Sequence, residues 1–148
     1  MNLREIVFNE KKKIFCVLLI AFFNVIFYKN VLIAQIYPDS PGYIDYSFKS
    51  LLHLDLVSSR TFGYPLFIRI CQYLFRGQFL NGVVILQIVI SCVSFLYLYK
   101  AGSYILKNKK TALLLTVLYA SSPAVIGWNT IISTESLAIS GTVFSYMP

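Results

Sequence analysis

Hydrophobic positions along this chain fall into long blocks, not into the alternation of a half-buried strand. Three blocks reach the roughly 20 residues that a bilayer-crossing helix requires. The first covers residues 14–36 and is interrupted by Lys29 and Asn30; the second covers about 80–104; the third covers about 111–130. A fourth uncharged stretch, from Ser136 to Met147, is too short to cross and reads as the start of a further span. Between the first two blocks lies a loop, residues 37–79, in which helical periodicity replaces the block pattern. Ser40 followed by Pro41 predicts a helix start, with serine as N-cap and proline at the first helical position. Ile44, Phe48, Leu51 and Leu52 then recur at helical spacing. A second helix is predicted from near Pro65, with Phe67, Ile70, Cys71, Leu74 and Phe75 on one face and Arg69, Gln72 and Arg76 opposite. A helix of that kind lies in the interface plane with its apolar side toward lipid or the spans. The pattern therefore predicts an all-α membrane protein. It would form a single partial transmembrane domain over 1–148, with about three transmembrane helices and two short interfacial helices in the first extracytoplasmic loop.

Composition agrees. Of 148 residues, 57% are hydrophobic and 13% charged, against about 25% charged in soluble domains. That excludes disorder, a collagen-like fibre and an ordinary water-soluble globule. Basic residues set the orientation. Lys11, Lys12 and Lys13 precede the first span, and Lys100, Lys107, Lys109 and Lys110 lie between the second and third. Both clusters belong inside, and two intervening spans place them on the same side. The expectation is a multi-pass protein of the cell membrane with a cytoplasmic N-terminus. Residues 14–36 are long for the hydrophobic region of a cleaved signal peptide and read as an uncleaved anchor. Lys29, beside Tyr28 and Asn30, reads as a snorkelling side chain near the outer end. The net charge of +7 needs no nucleic acid, because seven of the thirteen basic residues are these topology lysines. Cys16, Cys71 and Cys92 are odd in number and lack metal-ligand spacing, so they read as small apolar fillers.

Candidate chemistry gathers in the outer loop. It holds all three aspartates (Asp39, Asp45 and Asp55), the only histidine (His53), and Arg60, Arg69 and Arg76. Asp39 stands in Tyr37-Pro38-Asp39-Ser40-Pro41-Gly42-Tyr43. A carboxylate there suits a general base on a hydroxyl, or a ligand to a divalent ion that bridges phosphate oxygens; it equally suits a solvated turn or helix cap. Asp45, Asp55 and His53 read as ordinary polar-face and interfacial residues. Arg60 precedes Thr61-Phe62-Gly63-Tyr64-Pro65. Its guanidinium fits a phosphate or a rim charge facing anionic headgroups, and the Gly63-Tyr64-Pro65 turn leads into the second loop helix. Glu135, the only acid after Asp55, follows the third span on the expected outer side. It suits the first turn of a helix capped by Ser133 or Thr134, or a second carboxylate converging on Asp39.

These residues resemble the N-terminal part of the membrane-embedded glycosyltransferases of the C-type fold. The nearest branch is the protein mannosyltransferase and aminoarabinose transferase group. Members begin with a cytoplasmic N-terminus, one span, and a long outer loop that opens on an acidic motif; Tyr37 to Tyr43 match that motif. An arginine followed by a Pro-Gly-Tyr-Pro turn is matched by Arg60 to Ile68, with Phe62 in place of the usual proline. A Thr-Glu pair after the third span is matched by Thr134-Glu135. Asp39 is followed by serine and not by a second acid, so metal dependence and the cofactor requirement stay open. The resemblance implies sugar transfer from a polyprenyl-phosphate carrier at the extracytoplasmic face. Asp39 would be catalytic, and Arg60, Tyr64 and Glu135 would bind substrate; no metal ligands are assigned. The family has many more spans, so the chain is expected to be the front of a larger enzyme. The partners implied are membrane lipids and the polyprenyl-phosphate-linked sugar.

Two other classes remain. A small non-catalytic accessory protein would pack its spans against a partner membrane protein through small residues, and Gly82, Ser91, Ala120 and Gly127 are available. A transporter would place ionisable groups inside the spans or break helices mid-membrane; Pro123 and Gly127 could break the third span, but no acid or histidine lies in any span.

Overall fold

The computed structural model describes residues 33–48 and 63–145. Most of the predicted first span (14–36), Cys16, His53, Asp55 and Arg60 lie outside the described residues. The described part is all-α. Its helices are α1 (Ser40–Phe48), α2 (Gly63–Phe75), α3 (Phe79–Ile105), α4 (Lys109–Ala120), α5 (Pro123–Thr130) and α6 (Glu135–Ser145), with a 3-10 turn, Arg76–Gln78, between α2 and α3. Both predicted loop helices and the predicted second span are therefore present as helices. The last four residues assigned to the first span, Ile33 to Ile36, are not helical. They are extended because Gln35 pairs its backbone with the α5–α6 link through a single parallel bridge to Ile131.

The stretch Gly63–Ile105 is long and apolar enough to cross a membrane, but it is a hairpin. In one straight helix Tyr64 and Gln87 would stand about 34 Å apart. Instead, the Tyr64 hydroxyl donates a long hydrogen bond of 3.4 Å to Gln87 Oε1. Arg76, at φ 47°, reverses the chain in the left-handed conformation that commonly ends helices. α2 therefore runs back along the first turns of α3. Its inward residues are Tyr64, Pro65, Ile68 and Cys71, joined by Val83 and Val84 of α3, Tyr43 of α1 and Ile132. The predicted face holds in part: Cys71 is buried and Phe67 and Phe75 pack against the core. Ile70 and Leu74 point outward at 49% and 59% exposure, because α3 offers its groove to the neighbouring stripe of Tyr64, Ile68 and Cys71.

A second left-handed residue, Lys107 at φ 51°, turns α3 into α4, and the Asn108 side chain caps α4 by accepting from Lys110 N and Thr111 N. α4 runs antiparallel to α3, with Gly102 against Ala112 and Phe95 edge-on to Tyr119 at 5.9 Å. The predicted third span is bent: α4 and α5 meet at 49° where Pro123 leaves Ser121–Ser122 outside the helical ladder. α6 then descends parallel to α3, bringing Phe144 edge-on to Tyr97 at 5.2 Å.

Where α3 meets α4 and α6 many inward positions are small or hydroxylated: Ser91 and Ser94 of α3, Ala112, Thr116 and Ala120 of α4, Ser136 and Ser140 of α6, beside the larger buried side chains Phe95 and Tyr99 of α3 and Val125 of α5. The outward positions are Val89, Val93, Leu114, Leu115 and Leu118, each 39% exposed or more. Small inward residues let helix backbones approach closely, as in membrane bundles. Gly82 shows the tightest case, since a Cβ there would run into the Phe75 ring. Substituting Gly82→Val is expected to destabilise the α2–α3 hairpin by about 1–3 kcal/mol through overpacking. Gly127→Ala, where open space surrounds the site, should stay within about 1 kcal/mol of wild type. Thermal unfolding of the purified protein in detergent compares the two.

Candidate functional site

The site is built where two non-helical segments meet. Gln35 N donates to Thr130 O at 2.9 Å, and Ile132 N donates to Gln35 O at 3.1 Å. The helix break between α5 and α6 leaves backbone groups in the interior that need partners, and two buried side chains, Ser40 and Gln87, bond its carbonyls while a third, Ser136, bonds the Asn129 side chain. Ser40 Oγ donates to Ile132 O at 2.7 Å while accepting from Tyr37 N at 2.9 Å. Gln87 Nε2 donates to Ile131 O at 3.2 Å. Ser136 Oγ donates to Asn129 Oδ1 at 2.6 Å, closing the link from the α6 side. Ser40 differs here from the expected N-cap. Its hydroxyl turns back from α1 to staple the preceding turn onto Ile132.

Of the residues singled out in the sequence, three fall on this crossing. Asp39 is exposed and immediately precedes the stapled Ser40. Glu135 is exposed in the first turn of α6, three residues after Ile132, with the Thr134 hydroxyl 3.5 Å from its carboxylate. Thr134 O accepts the first helical bond, from Ala138 N, so the pair has the helix-start geometry anticipated, with the acid at the favourable end of the dipole. Tyr64 is buried beneath them. Its ring packs edge-on to Tyr43 at 5.2 Å and its hydroxyl lies against the Ser133 backbone, in the field of Glu135. Burial, far more than the charge of Glu135, pushes this phenol well above its ordinary pKa. It remains a neutral hydrogen-bond donor and not a proton acceptor. Asp45 is exposed on α1, away from the stapled side chain. Arg60 lies outside the described residues.

Gln87 is the residue the sequence reading passed over. It is the only carboxamide between Gly82 and Leu98, and a lone amide in an apolar helix is the signal that marks it. Ser133 was considered only as a cap. Its hydroxyl is buried without a hydrogen-bond partner, beside the Tyr64 phenol. Among the described residues no group of three or more His, Cys, Asp or Glu side chains could hold a metal ion. Asp39 and Glu135 are the carboxylates beside the crossing, with Asp45 further along α1, and Ser40 and Gln87 fix the backbones that carry Asp39 and Glu135. Gly82, Ser91 and Ala120, candidates for contact with a partner protein, are buried inside this chain.

No known protein family, curated protein or solved structure matches the chain.

Cys71, in the core beside this site, has its thiol pushed up to about 11 by burial. The raised value means that the folded state holds the neutral thiol while the unfolded chain ionises first. The associated stability is complete below about pH 9 and is lost as pH rises toward 11. The unfolding midpoint should fall across that window, and Cys71→Ala should flatten the slope. Maleimide should leave Cys71 unmodified at pH 8 until the protein unfolds, as mass spectrometry would read directly.

Proposed function

We propose that this is a multi-pass membrane protein and that its outer end takes part in transferring a sugar from a polyprenyl-phosphate carrier to a hydroxyl acceptor. The observation that carries the proposal is the crossing itself. Two segments that are distant in sequence, one leading into Asp39 and one into Glu135, are tied by backbone pairing and by Ser40 at one end of a helical bundle. Burial supports the membrane reading: Val89, Val93, Leu114, Leu115 and Leu118 face outward while Ser91, Ser94, Thr116, Ser136 and Ser140 face in, which suits lipid and is costly in water.

Dimensions support the orientation. From Gln87 to Ile105, α3 rises about 27 Å, close to the roughly 30 Å hydrocarbon core of a bilayer. The crossing then stands at one boundary and the Lys107–Lys110 turn at the other, with the lysines inside. In this arrangement α3 crosses once and the bent pair α4–α5 crosses back; the predicted first span, 14–36, lies for the most part outside the described residues. The α2–α3 hairpin turn stands above the outer boundary. A polyprenyl phosphate would reach the site with its tail along the outward apolar faces and its headgroup level with the crossing.

Chemistry follows from the residues. Asp39 accepts the proton of the acceptor hydroxyl, Arg60 offsets the negative charge of the departing lipid phosphate, and Glu135 orients the sugar from the opposite segment. Holding donor and acceptor together would supply much of the acceleration.

In membranes from cells expressing the protein, Asp39→Asn is expected to lower transfer from a polyprenyl-phosphate sugar by about 100-fold or more. Glu135→Gln should lower it by about tenfold. Wild-type rates in Asp39→Asn would overturn the assignment. Orientation is checked separately in intact cells lacking native cysteines. Asp39→Cys should react with a membrane-impermeant maleimide, and Lys109→Cys should react only after permeabilisation.

A further inference from the structure

Gln87 is wholly buried, and a buried carboxamide is costly unless its donors and acceptor are used. Its two bonds go to different elements. Nε2 donates to Ile131 O in the α5–α6 link, and Oε1 accepts from Tyr64 of α2. Tyr64 in turn is held by the Tyr43 ring of α1. One side chain on α3 thereby joins the outer helices to the segment that leads into Glu135. Ser40 joins the same segment to the turn that holds Asp39 through the next carbonyl, Ile132 O. Adjacent carbonyls of one short link thus receive one bond from the membrane-crossing helix and one from the Asp39 turn.

We infer that Gln87 is a positioning residue, a latch whose two hydrogen bonds keep the Asp39 turn and the Glu135 helix start in one fixed relation. Neither bond reaches a carboxylate, so Gln87 acts through the backbone it holds. Packing alone would not do this: an apolar side chain of equal length would fill the space but leave the Tyr64 hydroxyl without its acceptor and Ile131 O without its second donor. The α5–α6 link would then be free to shift against α2, and Glu135 with it. The consequence for catalysis rests on the reading of Asp39 and Glu135 as two sides of one site; the latch itself does not.

The test places spin labels at Tyr37→Cys and Ala138→Cys, both exposed, in the otherwise cysteine-free full chain reconstituted in lipid nanodiscs. Pulsed dipolar spectroscopy should give one narrow distance distribution with Gln87. Gln87→Met preserves length and volume but removes both bonds, and the distribution should become about twofold broader while helicity is retained. Gln87→Glu, as the neutral acid, keeps a donor and an acceptor and should restore the narrow distribution. An unchanged distribution in Gln87→Met overturns the latch, as does a Gln87→Glu distribution as broad as that of Gln87→Met. In the transfer assay, Gln87→Met should lower kcat about tenfold with the donor KM unchanged, and Gln87→Glu should recover most of it. A wild-type protein without transfer activity would overturn the proposed function and leave the distance measurement to decide the latch.

Discussion

Everything at the Gln35–Ile131 end of this bundle depends on pairing the backbone of a helix break. Between Thr130 and Glu135 the chain leaves α5 and enters α6 through residues buried against α3. Their amides and carbonyls cannot be left to water. A stretch of extended chain around Gln35 pairs with them on one side, and Ser40 and Gln87 on the other. The need to satisfy those groups draws together parts of the sequence that share no local signal. That pairing ties the segment that leads into Asp39 to the one that leads into Glu135.

Below that point the bundle is held by close approach of backbones. Serine, threonine and alanine line much of the contact of α3 with α4 and α6, together with Phe95, Tyr99 and Val125, while Val89, Val93, Leu114, Leu115 and Leu118 face away. Close van der Waals contact carries the association of these helices. Thr116 Oγ1 bonds Ala112 O and Ser94 Oγ bonds Ser91 O, which satisfies each hydroxyl within its own helix. The contacts between helices are then left smooth. Above the crossing the logic changes: Ile68, Cys71, Val83, Val84 and Ile132 form a conventional apolar core.

Much of this was readable from the sequence. Charge-free blocks gave the extent of α3 closely, because length and the absence of charge are local properties. The start of α6 at Thr134-Glu135 and the two loop helices were equally legible from caps and prolines. What was hidden was non-local. The face of α2 could not be chosen between Ile70 and Ile68 without knowing that α2 folds back on α3. The use of Ser40 as a staple depended on a carbonyl 92 residues away. Gln87 stood out only as one amide among apolar neighbours, and its partners could not be named from spacing. Of the candidate site, Asp39, Tyr64 and Glu135 were recognisable as residues, but the device that joins their segments was not.

The bridge between Gln35 and Ile131 also imposes an order in time. Ribosomes add about 5–20 residues each second, so the Ser40 hydroxyl emerges roughly 5–20 seconds before the carbonyl it will bond. Throughout that interval the segment around Gln35 has no template to pair with, while both helices of the α2–α3 hairpin have already been synthesised. The last link synthesised, Thr130 to Ile132, then closes the structure by docking on a receptor made earlier. This end of the bundle is therefore a clasp, shut by the later part of the chain.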